Sequence, residues 1–281
     1  MDRISVSSHR RSACLLGTGA LLLCALALVL LLHARANEGT HYAQMPGTKV
    51  SRSGAVTMDY SNASQGYVAV KHAATSKKLK LRVKFGNNAD TYDLTPSDDY
   101  SVFPLKYGPG QYTVLIYKNV EGKSYAQEYA HQVYANITDP NVSFLYPNQI
   151  VWYTEETKAI ELADDLCKDL ETDMEKISKL YNYVKNTINY DHIKALNVKS
   201  GYIPDIDATL DSRMGICYDY SALLGCMLRS QGIYTQLVMG TMNNTVYHAW
   251  NKVYIDGKWK MLDATTGGKY KSSAYVEDRF Y

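Results

Sequence analysis

At 281 residues, with 30 Lys and Arg against 28 Asp and Glu, the chain carries a formal charge of only +2. Arg3, Arg10, Arg11, Arg35 and Asp2 all fall within the first 36 residues, so the remainder has a net charge of −1. That balance removes the electrostatic case for nucleic-acid binding. The 25 tyrosines against four phenylalanines suit half-exposed sheet surfaces and contact faces.

An uncharged apolar run from Ala13 to Leu32 follows the first basic residues and precedes the small-x-small triplet Ala34-Arg35-Ala36. This is an export pattern, and residues 1–36 are expected to be a signal peptide. The run is also long enough to span a bilayer, so an uncleaved signal anchor is the alternative. Either way the rest lies outside the cytoplasm, secreted or at the cell surface, with membrane contact only through this segment. Beyond it stand Cys167, Cys217 and Cys226. Cys217 and Cys226 are nine residues apart on one predicted helix and half a turn out of phase, so they do not pair. A Cys167–Cys226 bond is left open. The odd count leaves at least one free thiol, and Cys217 is the candidate.

Residues 37–57 are small and polar without usable periodicity, and are expected to be a linker. From residue 58 to 150 the pattern is short, alternating and punctuated, which predicts a β-rich accessory domain of sandwich type. Its strands are expected at Tyr67–Val70, Leu79–Phe85, Tyr112–Tyr117 and Tyr125–Ile137, with a turn at Gly86-Asn87-Asn88. His72 and His131 are isolated there, which fits surface or packing roles better than metal ligation.

After Asp139-Pro140 and Tyr146-Pro147 the period changes to about 3.6, and residues 151–281 read as a second domain. Ile160, Ala163, Leu166, Cys167 and Leu170 share one helical face. Thr172 and Glu175 form a capping box before a second stripe of Met174, Ile177, Tyr181, Val184 and Ile188. Residues 190–212 are irregular and are placed to form one wall of a cleft. Strands are expected again at Tyr234–Gly240, Val246–Ile255 and Lys258–Asp263, the last two joined by the hairpin signal Asp256-Gly257.

Between these halves, Tyr220, Leu223, Leu224, Met227 and Leu228 give a helical stripe that begins at Cys217 and stops at Gly232. A cysteine at a helix start meets unpaired N–H groups and the positive end of the helix dipole, which favour a thiolate. A buried structural cysteine is the plainer alternative. Asp219 is a carboxylate close to that thiolate and would oppose it unless it points away.

The Asp256-Gly257 loop fixes a register in which Ile255 faces Lys258, Trp250 faces Asp263 and His248 faces Thr265. His248 and Asp263 then lie diagonally on one face, about 7–8 Å apart at the backbone and within side-chain reach. A cysteine at a helix start plus a histidine oriented by an aspartate is the arrangement nucleophilic thiol chemistry needs. In it Cys217, His248 and Asp263 are the candidate catalytic residues. The Cys217 N–H would be one oxyanion donor, and Trp250 would shield the histidine–carboxylate bond.

Met214-Gly215-Ile216-Cys217-Tyr218-Asp219-Tyr220-Ser221, His248-Ala249-Trp250-Asn251 and Trp259-Lys260-Met261-Leu262-Asp263 resemble blocks of the transglutaminase-like superfamily, in the expected order. Ile188-Asn189-Tyr190-Asp191 resembles a further one. The resemblance implies an α+β, papain-like core with the nucleophile helix packed on an antiparallel sheet. It also implies a Cys217–His248–Asp263 triad and acyl transfer from peptide, isopeptide or glutamine amides through a thioester, without cofactor or metal. Water as acceptor gives peptidase or amidase activity; an amine gives transamidation. Ile216 and Tyr218 differ from their counterparts in the animal crosslinking enzymes, and no calcium-site segment is evident, so the chain looks more like the bacterial branch. Its partner would be a peptide or protein substrate, with cell-wall stem peptides among the candidates. The competing reading is a non-catalytic surface module that keeps the fold as a scaffold.

Overall fold

The computed structural model describes residues 39–281. The expected export segment, 1–36, lies outside the described residues. Thr40–Tyr281 form one compact unit of mixed α+β architecture.

The first half is built from two four-stranded antiparallel sheets. One has the order β1 (Val50–Ser53), β2 (Val56–Asp59), β3 (Tyr67–His72), β6 (Ser97–Pro104). The other has the order β5 (Asn88–Leu94), β4 (Leu79–Phe85), β7 (Gly110–Glu121), β8 (Ser124–Ala135). Val68 and Val70 of β3 share a core with Leu81, Val83, Val114 and Ile116 of the second sheet. The other face of β3, with Tyr67 and Ala69, is covered by Leu145 and Tyr146. Burial on both faces explains why β3 reads as an unbroken apolar run rather than an alternation. His72 is a packing residue that ties the two sheets together, its Nε2 lying 3.0 Å from Glu128 Oε2 on β8.

Two differences from the expected organisation appear here. Strands β1 and β2 form a hairpin that begins inside the stretch expected to be a linker and runs two residues past its end. Ser51, Arg52, Ser53 and Thr57 give that hairpin too little apolar alternation to be seen in the sequence. The expected boundary at residue 150 falls inside a continuous core, because Ile150, Val151 and Tyr153 join the same cluster as both halves.

The second half wraps three helices around a fourth. Helices α1 (Lys158–Cys167) and α2 (Asp173–Thr187) follow their predicted stripes, and the Thr172–Glu175 capping box forms. Met174 is an exception: it sits in the first turn of α2, clear of the core, and is exposed. The 190–212 region, expected to be irregular, holds α3 (His192–Asn197) and α4 (Ile206–Ser212). Helix α3 buries none of its residues, so no periodicity announces it. Helix α5 (Cys217–Ser230) is enclosed on every side from Asp219 to Ser230 rather than along a single stripe.

Helix α5 packs on a third antiparallel sheet ordered β13 (Lys258–Leu262), β12 (Val246–Ile255), β11 (Thr235–Met242), β14 (Tyr275–Phe280). Asn251 of β12 donates to the Ser221 carbonyl of α5 at 2.9 Å and so sets the register between strand and helix. A short parallel pair, β9 (Asn189–Tyr190) with β10 (Met214–Gly215), leads the chain into α5. Cys167, Cys217 and Cys226 are all free thiols, so no Cys167–Cys226 bond is present.

The β11–β14 pairing depends on a glycine. A Cβ on Gly240 would lie 2.0 Å from the Val276 carbonyl oxygen, at a register shift between Met239 and Gly240. Gly240→Ala is therefore expected to prise β14 from the sheet and destabilise the protein by about 2–3 kcal/mol, as overpacking against backbone does. The urea midpoint measures this; a midpoint equal to wild type would show that the bulge opens freely.

Candidate active site

Cys217 is the first residue of α5 and is partly exposed at the mouth of a cleft of about 510 Å³. Ile216 precedes it in extended conformation and has no side-chain acceptor, so only the returning half of a capping box forms. The Asp219 carboxylate accepts the Ile216 N–H at 2.8 Å. Asp219 is wholly buried, and its carboxylate is engaged by the Tyr202 hydroxyl at 2.6 Å and Lys194 Nζ at 2.7 Å. Gly215 makes this inward turn feasible, because a Cβ there would stand 2.8 Å from the Asp219 Cβ.

The hairpin register is the one the Asp256-Gly257 loop predicts, with Ile255 opposite Lys258 and pairing out to Asn251 opposite Leu262. Asp256 and Gly257 both have positive φ, 54° and 73°, as a type I′ turn requires. The ladder ends at Leu262, so the expected pairs Trp250–Asp263 and His248–Thr265 do not form. Asp263 instead starts a turn: its Oδ1 accepts the N–H groups of Thr265 and Thr266 at 3.0 and 3.1 Å. That turn brings Oδ2 to His248 Nε2 at 2.9 Å. Nε2 being taken by Asp263, Nδ1 is the ring nitrogen left free to serve Cys217, which lines the same cleft.

Three residues that the sequence does not disclose complete this arrangement. Tyr275 of β14 donates to Asp263 Oδ2 at 2.7 Å, and the Thr266 hydroxyl donates to the same oxygen at 2.8 Å. Tyr181 of α2 donates to the Asp263 carbonyl at 3.2 Å. The Asp-x-x-Thr spacing of a side-chain turn is the one available signal, and it reaches only Thr266. Trp250, fully buried, lies over the histidine with ring centroids 6.2 Å apart and planes inclined by 20°. Tyr275 meets the Trp250 ring edge-on, at 5.1 Å.

The electrostatics follow from these contacts. Burial works against a charged His248, but hydrogen bonds and charge interactions with Asp263 and Cys217 outweigh it and push His248 up to about 9. Burial likewise works against an ionised Asp263; the bonds from His248, Tyr275 and Thr266 overcome it and hold the carboxyl below its ordinary range. The pair is thus arranged to keep a proton on the imidazole and a negative charge on the aspartate.

The cleft is lined by Tyr190, Tyr202, Tyr218 and Tyr247 around the Cys217–His248 pair. Residues 198–203 form one wall, the place expected for this segment, and Thr91–Asp93 of edge strand β5 form another. Among the described residues no cluster of His, Cys, Asp and Glu side chains is placed to hold a metal ion.

A helix that presents a cysteine at its start to a histidine–aspartate pair on an antiparallel sheet is the papain-like arrangement of a thiol protein. Residues 160–264 match the transglutaminase-like superfamily. The chain is 28% identical over 134 residues to human kyphoscoliosis peptidase, covering 44% of this chain and 20% of that protein. The mouse kyphoscoliosis peptidase is 27% identical over 118 residues, covering 38% and 18%. The chain thus spans about a fifth of the length of these curated relatives. Among solved structures, the periplasmic domain of TgpA from Pseudomonas aeruginosa is 16% identical, with 80% of this chain and 77% of that one covered at a TM-score of 0.36. LapG of Legionella pneumophila is 14% identical, with 46% and 77% covered at a TM-score of 0.37.

Proposed function

We propose that the protein is an extracytoplasmic thiol enzyme that cleaves or transfers the acyl group of peptide, isopeptide or glutamine amide bonds. The observation that carries this reading is the position of His248, which shares the cleft with Cys217 and is hydrogen-bonded to a fully satisfied Asp263. Cys217 Sγ bonds to the acyl carbon while its proton resides on His248. The carbonyl oxygen, now negative, is met by the Cys217 N–H at the helix start, where no intrahelical acceptor competes for it. His248 returns the proton to the departing nitrogen, the C–N bond breaks, and a thioester remains. Water or an amine then gives a proton to His248, attacks the acyl carbon and releases the thiol. Asp263 holds the ring orientation and the positive charge throughout.

Water is favoured as the acceptor, because it is abundant outside the cytoplasm, where the export pattern places the reaction. The export pattern of residues 1–36 supports action outside the cytoplasm, on peptides or surface proteins, with cell-wall stem peptides among them. Among the described residues no helix is long and apolar enough to cross a membrane.

The test is product mapping by mass spectrometry after incubation with a peptide library, with and without a labelled amine. Cleaved, deamidated or amine-linked products are expected with the wild type and absent with Cys217→Ala. Identical products from the two proteins would overturn the enzymatic reading and leave the non-catalytic surface module.

A further inference from the structure

The carboxylate nearest the nucleophile along the chain is also one of the most thoroughly bonded groups in the protein. Asp219 is wholly buried two residues beyond Cys217, and three donors converge on it. Only the Ile216 N–H belongs to its own helix end. The Tyr202 hydroxyl and the Lys194 ammonium come from the 192–203 segment, which forms a wall of the cleft. Lys194 Nζ also donates to the Tyr202 hydroxyl at 2.7 Å and lies 4.5 Å from the centre of its ring. The three side chains therefore close a triangle, with Lys194 the lone cation in it. Lys194 itself is held on α3, whose start is capped by the Asp191 carboxylate accepting the Lys194 N–H at 2.8 Å.

We infer that Lys194 is a positioning residue for the reaction at Cys217, neutralising Asp219 beneath the nucleophile while pinning the cleft wall to the nucleophile helix. The inference rests on the proposed thiol chemistry and assigns roles within it. Asp219 is needed because Ile216 offers no capping oxygen, so the carboxylate supplies the side-chain half of the cap where the chain enters the helix. Its charge would oppose a thiolate two residues away, and a buried carboxylate without a counter-charge is also costly to the fold. Lys194 answers both demands from outside the helix. Burial works against its charge, yet the bonds it donates to Asp219 and Tyr202 prevail and raise its affinity for the proton. Tyr202 carries the link to the wall. It lines the cleft and takes its position from the same two partners, so the wall and the nucleophile move as one body.

Charge neutralisation and wall positioning separate by variant. Lys194→Met is expected to slow alkylation of Cys217 by iodoacetamide about tenfold, with kcat falling in parallel. Lys194→Met/Asp219→Asn removes both charges and is expected to recover alkylation to within about threefold of wild type, since asparagine still accepts the Ile216 N–H. Lys194→Arg keeps the cation and should stay close to wild type. Tyr202→Phe leaves the ion pair in place, so alkylation should hold while KM for a peptide substrate rises. Thermal melts establish that each variant is folded, and Lys194→Gln replaces Lys194→Met if the latter is not. Alkylation within twofold of wild type in the folded single variant would overturn the inference, as would a double variant no faster than the single one. Alkylation needs no substrate, so these outcomes are read separately from the wild-type and Cys217→Ala product comparison that tests the enzymatic reading.

Discussion

Asp263→Asn is expected to lower kcat for amide substrates by about 10,000-fold while leaving the fold in place. The reason lies in how the carboxylate divides its work. Oδ1 accepts two backbone N–H groups and closes the turn after β13, whereas Oδ2 accepts from His248, Thr266 and Tyr275. An asparagine keeps its turn only by placing its oxygen at the Oδ1 position. The amide NH₂ then faces three donors, and His248 must turn a lone pair toward it, moving its proton to the wrong nitrogen for Cys217. The pH profile carries a second signature. Without the carboxylate, His248 loses the support that raises it to about 9, so the alkaline limb of the rate profile should move down from that region. Stability follows the same sign. The folded protein binds the His248 proton more tightly than the unfolded chain does. Its contribution is therefore complete below the ordinary value of 6.5 and is lost as the pH rises through about 9. Imidazole titration by NMR and pH–rate curves on both proteins measure these points. A wild-type histidine titrating at its ordinary value would contradict the electrostatic account.

The half of the site that is legible in the sequence is the half made by neighbours in the chain. A two-residue turn fixes a register, and the register brings His248 and Asp263 to one face, even though Asp263 leaves the ladder one residue early. The Thr172–Glu175 box and the Leu79–Phe85 alternation are equally local, and they stand where the sequence puts them. Tyr275 and Lys194 illustrate the opposite case. Tyr275 belongs to an edge strand whose residues are largely exposed, and Lys194 to a helix that buries nothing. Neither segment has a period to detect, because β14 is held by its backbone pairing to β11 and α3 by specific side-chain bonds, not by an apolar face. Helix α5 misleads in a third way. Its stripe of Tyr220, Leu223, Leu224, Met227 and Leu228 suggests one buried face, but Ala222, Gly225 and Cys226 are small enough to let a sheet and three helices close around it.

Arg229 is the residue where that enclosure is most exacting, and Arg229→Met is expected to cost about 3–5 kcal/mol of stability. Its side chain is fully buried within α5, and among the described residues its bonds go to main-chain oxygens and to no Asp or Glu side chain. Nε and Nη2 donate to the Thr235 carbonyl at 3.0 and 2.8 Å, Nη1 to Tyr146 at 2.9 Å, and Nη2 also to Tyr281 at 3.0 Å. One guanidinium thus joins the end of the nucleophile helix to the strand that follows it, to the 139–150 connection and to the end of the third sheet. Burial lowers its hold on the proton to about 10, against the pull of Tyr153 and Cys226, so the four bonds are made by a charge kept against a desolvation cost. Methionine fills much of the volume but withdraws the guanidinium donors from the Thr235, Tyr146 and Tyr281 carbonyls, of which Tyr281 keeps the Leu237 N–H; a buried carbonyl left unpaired costs roughly 1–3 kcal/mol. The penalty is structural and lies at the opposite end of α5 from Cys217. Urea unfolding should register it, while iodoacetamide should alkylate Cys217 in the folded variant at the wild-type rate. A loss below about 1 kcal/mol would mean that water or a shifted backbone satisfies those carbonyls, and that the guanidinium is not what holds the far end of the helix.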